Sequence, residues 1–96
     1  MSGYRLTPAA QRDLSSIWYF AQERSDARQA ETYVLEIRAA IERVADDPGR
    51  GRACDEIREG YRRYGIASHT LYYVESTDGA DVIRILHQRV DPTRYL

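Results

Sequence analysis

Two histidines, a tyrosine near the end of the chain and three arginines hold most of its potential for chemistry. His69 and His87 can each take or release a proton near neutral pH. Tyr95 has a phenolic proton to give, and Arg62, Arg63 and Arg84 can clamp a phosphate through paired N–H groups. A base, an acid and a phosphate clamp are what metal-free cleavage of RNA requires. The candidate catalytic set on that reading is Arg62, Arg63, Arg84, His87 and Tyr95, but nothing in the spacing pairs these groups. A binding protein needs only shape, exposed aromatics and arginines, and these are abundant here.

Composition narrows the chemistry further. All fourteen basic residues are arginine, so no lysine base, Schiff base or phosphate-binding lysine exists. One cysteine, Cys54, and two scattered histidines cannot build a metal site or an internal disulfide, and no cofactor is expected. Nothing near Cys54 suggests an activated thiolate. A net charge of −1 argues against broad binding to nucleic acid. Apolar content of 43 % with 30 % charged residues is that of a folded globular chain. No apolar run approaches a membrane span and no leader is visible, so the expectation is a cytoplasmic protein that does not meet the membrane. Ninety-six residues make one domain, spanning 1–96.

The elements that must position these groups are arranged around the stretch Val82 to Val90. Val82 and Leu86 alternate on one face and Ile83 and Ile85 on the other, as in a strand covered on both sides. Residues 81–90 are therefore read as a central strand, with Arg84, His87, Gln88 and Arg89 in its second half and at its exit. Upstream, Tyr4 to Leu6 is a short strand. Thr7 then caps a helix that has Pro8 at its first position, where a missing N–H costs nothing. Ala10, Leu14, Ile17, Trp18 and Ala21 form its apolar face, and it should end near Arg24. Ser25-Asp26 caps a second helix, apolar at Ala30, Tyr33, Val34, Ile37, Ala40, Ile41 and Val44, which Pro48 ends. So short a link makes the two helices an antiparallel hairpin.

Residues 48–52 read as a loop, 61–66 and 69–75 as strands, and Thr77-Asp78-Gly79 as a hairpin turn. The order β-α-α-β-β-β gives an α+β, two-layer domain: a helical hairpin packed on a small, mainly antiparallel sheet. The sheet face away from the helices should stay partly open. Leu14, Ile17, Val34, Ile37, Ile41, Leu71, Ile85 and Leu86 are the expected core. Adjacent Arg62 and Arg63 must point to opposite faces, one toward an open-face cluster and the other toward a carboxylate. Arg84 is either presented on the open face or paired with Glu75 across the hairpin. Trp18, Tyr19, Phe20 and Tyr33 exceed what so small a core can absorb, and Trp18 is either a core anchor or an interface residue.

The chain resembles the RelE/ParE superfamily of bacterial toxins, and its ParE branch more closely. The resemblance rests on Leu6-Thr7-Pro8-Ala9-Ala10-Gln11-Arg12-Asp13-Leu14, Ile17-Trp18-Tyr19-Phe20, Ile37-Arg38-Ala39-Ala40-Ile41 and Asp47-Pro48. It continues through Gly51-Arg52, Arg62-Arg63-Tyr64, Leu71-Tyr72-Tyr73 and Arg84-Ile85-Leu86-His87-Gln88-Arg89-Val90-Asp91, covering nearly the whole chain in order. It implies the toxin half of a type II toxin–antitoxin system, of the kind tied to plasmid stabilisation. The ParE branch implies inhibition of DNA gyrase by binding, with no catalytic residues and no direct contact with nucleic acid. It also implies neutralisation by a ParD-like antitoxin in a heterotetramer or larger complex. The RelE branch would instead imply a ribosome-dependent mRNA endoribonuclease, but those nucleases lean on sheet lysines, which this chain lacks. A third reading keeps the antitoxin-binding module without toxicity. Antitoxin- or target-binding residues on this resemblance and composition are Trp18, Tyr19, Phe20, Tyr33, Arg62, Arg63, Arg84 and Arg89.

Overall fold

Thr7 shows how a single side chain ties the two layers together. Its hydroxyl accepts from the Ala10 amide at 3.0 Å and donates to the Ile83 carbonyl at 2.7 Å. It thereby caps helix α1 (Pro8–Arg24) and fastens that cap to the last strand. The computed structural model describes residues 3–96. Asp26 caps α2 (Ala27–Asp46) in the same way, accepting from Gln29 N at 2.8 Å. Both helices begin and end where their caps and prolines predict. They bury Ala10, Leu14 and Ile17 of α1, and Ile37, Ala40, Ile41, Val44 and Ala45 of α2, in one core with the sheet.

The sheet has five strands: β1 (Gly3–Leu6), β2 (Arg52–Ala53), β3 (Arg62–Ile66), β4 (His69–Ser76) and β5 (Gly79–His87). Their order is β1-β5-β4-β3-β2, with β1 parallel to β5 and every other pair antiparallel. The α+β two-layer architecture is the one expected, with one strand more. The stretch read as a loop is a short 3-10 turn (Pro48–Arg50) followed by β2, because Arg52 and Ala53 pair with Arg63 and Arg62. The last strand also stops sooner than expected. His87 Nδ1 accepts from Arg89 N at 3.1 Å and its carbonyl accepts from Val90 N at 3.0 Å, which turns the chain away from the sheet.

A second correction concerns the faces of β5. Arg84 pairs with Tyr72 but Val82 pairs with Tyr73, so Ile83 is an extra residue, a bulge. The bulge reverses the alternation. Val82 and Ile85 both join the helix-side core, whereas Leu86 lies in a second cluster. The Ile83 carbonyl at this irregularity is the one that Thr7 satisfies. All the expected core residues are buried except Val34, which is half-buried and packs against the core edge.

Gly79 closes the β4–β5 turn at φ 154, and a Cβ there would strike the Gly3 carbonyl of β1. The open face is less open than its size suggests. Segment 54–61 folds under the sheet, and Cys54, Tyr72 and Leu86 are buried there against Ile57, Tyr61 and Leu96.

Candidate functional site

The residues singled out as candidates are spread over several places. Trp18 is half-buried on α1 and lines a groove with Leu6, Gln11, Leu14, Ser15, Val34 and Arg38. The groove runs between both helices and strand β1 and encloses about 430 Å³. Helical spacing of Leu14 and Trp18 against Val34 makes its walls apolar, and Gln11 and Arg38 mark its rim. Tyr19 stacks edge-on against Trp18 at 5.2 Å and projects outward, 64 % exposed.

Phe20 and Tyr33 lie elsewhere, beside His69 and His87 in a depression of about 300 Å³. Tyr33 Oη is 2.7 Å from His69 Nδ1 and accepts from Ser68 N at 3.2 Å, so α2 is tied to the β3–β4 turn. His69 and His87 are cross-strand partners with ring centroids 5.3 Å apart. Burial lowers the His69 pKa, His87 lowers it further, and Asp13 opposes the shift. Arg24 stacks over the exposed Phe20 ring at 4.6 Å.

Arg84 sits at a third place, in a half-buried ion pair as one reading had it but with a different partner. Its Nε and Nη2 donate to the two oxygens of Asp13 at 2.7 and 2.8 Å. Asp13 Oδ2 also accepts from the Ile85 amide at 2.9 Å. The partner is therefore Asp13 on α1, not Glu75, which pairs in register with Ala80 near the far end of the hairpin. The Asp13 carboxylate holds Arg84 protonated even more firmly than usual. Tyr95 lies under the same guanidinium at 5.4 Å.

Arg62 and Arg63 do point to opposite faces. Arg62 donates to the Gly51 carbonyl at 2.8 Å, not to a carboxylate. It joins a network in which Tyr73 Oη donates to Pro48 O at 2.6 Å and accepts from Gly51 N at 2.9 Å. Gly51 must be glycine, since a Cβ would collide with the Tyr73 hydroxyl. Arg63 is on the open face with Arg52, Thr70, Tyr72 and Gln88 around a cavity of about 420 Å³. Burial raises the Tyr72 pKa there, while the charge and hydrogen bond of Arg63 pull it down. Arg89 is exposed beyond the end of β5.

The possible nuclease set does not converge on one pocket: Arg63 and Arg84 share the cross-strand row through Tyr72, with Tyr95 beside Arg84, whereas His87 lies with His69 in a separate depression and Arg62 is on the other face. Burial raises the Cys54 thiol pKa, so it is no nucleophile at neutral pH. Among the described residues no group of three or more His, Cys, Asp or Glu could hold a metal ion. Two residues that matter were not singled out from sequence. Asp13 sits inside a helix pattern, and only the α1–β5 packing gives it three donors. Arg52 follows a glycine-rich stretch, and only the pairing of β2 with β3 sets it beside Arg63.

Comparison with known proteins fits this geometry. Residues 4–92 match the family model described as the ParE toxin of the type II toxin–antitoxin system, parDE. Toxin ParE1 from each of two strains of Mycobacterium tuberculosis is 50% identical over 96 residues, covering 99% of this chain and 98% of the relative. Toxin ParE1 of Caulobacter vibrioides is 36% identical over 96 residues, covering 100% of this chain and 99% of the relative. A structure described as the chromosomal ParDE TA system from P. aeruginosa has the same fold, with a TM-score of 0.78. It is 16% identical and covers 91% of this chain and 96% of that one.

Proposed function

The chain belongs to the ParE toxin family of type II toxin–antitoxin systems, and from that premise we propose that it inhibits DNA gyrase by binding and is neutralised by a ParD-like antitoxin. It would act in the cytoplasm, be held with its antitoxin in a heterotetramer or larger complex, and with it serve plasmid stabilisation.

The observation that carries the antitoxin part is the groove lined by Leu6, Leu14, Trp18 and Val34. It is apolar, open and walled by rigid elements, which suits one face of an amphipathic helix. Trp18 offers a large aromatic anchor at its wall, with Tyr19 edge-on beside it, and the Phe20 and Tyr33 depression offers a separate aromatic surface. The binding reading of toxicity draws support from the dispersal of the acid, base and phosphate-clamp candidates. Chemistry on a phosphodiester needs those groups within reach of one atom.

Gyrase supercoiling measured with the purified toxin is the direct test. Supercoiling should be lost on adding the toxin and restored on adding the antitoxin encoded beside it. Specific mRNA cleavage on ribosomes, abolished by Arg84→Ala or His87→Ala while supercoiling stays normal, would overturn the gyrase assignment. Trp18→Ala should weaken antitoxin binding about tenfold or more.

A further inference from the structure

Arg52 on β2 and Arg63 on β3 stand directly opposite each other, and the row continues to Tyr72 on β4. Like charges directly across a strand pair repel. Arg84 is ion-paired with Asp13, whereas no carboxylate lines the cavity that Arg52 and Arg63 share. Tyr72 is the cross-strand partner of Arg63 and lines the same cavity. In the next row Gly65 faces Thr70, and a Cβ on Gly65 would meet nothing within 4 Å. The floor beside the arginines is therefore bare. The cavity of about 420 Å³ above it is rimmed by neutral hydrogen-bonding groups, Thr70 and Gln88. Two guanidiniums in a cavity lined by neutral hydrogen-bonding groups, with an empty floor and no carboxylate in the lining, suit an oxyanion.

We propose that Arg52 and Arg63 form a receptor for a carboxylate side chain on an extended acidic segment of a protein partner, seated on the open sheet face. The site is apart from the helical groove, and it rests on the toxin–antitoxin reading only in naming the antitoxin as that partner. A carboxylate fits better than a nucleic-acid backbone. A phosphate chain needs successive cations along its path, but here the neighbouring arginines are spoken for: Arg62 points to the other face and binds Gly51 O, and Arg84 is held by Asp13. The chain also carries a net charge of −1. An extended segment suits the place because β2 ends the sheet and is only two residues long, leaving its outer edge unpaired.

The experiment follows the arginine Nε–Hε resonances of the ¹⁵N-labelled full chain at low salt. The probes are an acetylated hexaglutamate amide and, in parallel, a hexauridylate. The peptide should shift the Arg52 and Arg63 signals saturably, with a Kd of about 1 mM or tighter. Arg52→Gln and Arg63→Gln should each weaken it about tenfold, whereas Arg28→Gln, on the exposed side of α2, should not. No shift at these two arginines by on the order of 10 mM peptide would overturn the proposal. Tighter binding of hexauridylate at the same pair would also overturn it, making the face one for nucleic acid. In the complex with the antitoxin, both Gln variants should speed dissociation about tenfold at low salt, and high salt should erase the difference. If the antitoxin binds and neither variant changes its release, the receptor fails while the toxin–antitoxin reading stands. If the antitoxin does not bind the unaltered chain, that reading fails whatever the peptide does.

Discussion

On the sheet face that meets the helices, Ile37, Ile41, Val44, Leu71, Tyr73 and Val82 lose all exposure. On the opposite face the smaller buried cluster is Cys54, Tyr72 and Leu86, and the cavity shared by Arg52 and Arg63 beside it has no carboxylate in its lining. The first face is closed by apolar contact over two helices. The second is closed only where segment 54–61 reaches it. The same contrast holds between individual arginines. Arg84 meets Asp13 in a two-pronged pair that locks α1 to β5, and Arg63 faces an open cavity. An arginine already satisfied inside the fold costs energy to redirect, because its partner would be left half-buried and unpaired. The recognition surfaces proposed above, the less complete face and the groove beside Trp18, avoid that cost.

The contrast can be broken at several points, in order of expected size. Ile37→Ala, at the centre of the closed face, should cost about 3–5 kcal/mol, and Leu86→Ala, in the smaller cluster, about 2 kcal/mol. Urea unfolding of both variants checks this, and equal losses would mean the second face is as well packed as the first. Asp13→Ala should cost about 2–3 kcal/mol, since it strands both Arg84 and the Ile85 amide. Arg63→Gln should leave the melting temperature nearly unchanged, and a large drop there would make Arg63 structural too.

Tyr73→Phe should cost about 1–2 kcal/mol by leaving Gly51 N and Pro48 O without partners. Its signature would be faster hydrogen exchange at Gly51. The smallest effect concerns pH. His69 has a pKa below its ordinary value of 6.5, through burial and then its neighbour His87. The unfolded chain therefore binds more protons in that range, and stability should fall as pH drops below about 6.5. Below the folded-state pKa the loss should level off. His69→Gln should flatten this part of the stability profile. An unchanged slope would mean that His69 is not the group responsible.

Much of the fold was legible because local signals agreed. Thr7-Pro8 and Asp26 start helices through hydrogen bonds to residues three positions on, and Gly79 closes a two-residue turn. The candidate site was legible only in part. The aromatic group Trp18, Tyr19, Phe20 and Tyr33 reads as one patch in the sequence, but helical geometry sends Trp18 to the groove and Phe20 and Tyr33 to the histidine pair. The bulge at Ile83 was hidden for a related reason. An extra residue in a strand looks the same as a regular one until its partner strand is in place.

What the sequence determined by itself was the order of elements, their caps and the identity of the main core, since each rests on periodicity or on contacts within a few positions. It also determined the absence of lysine, and with it a whole class of chemistry. The tertiary structure alone decided that Asp13, not Glu75, takes Arg84, across 71 positions. It also decided that Arg52 stands beside Arg63, and that Val82 shares Ile85's core and not Leu86's face. Each of these depends on strand register and on how α1 crosses the sheet. Register is set by the summed fit of both faces, which no single stretch of sequence contains.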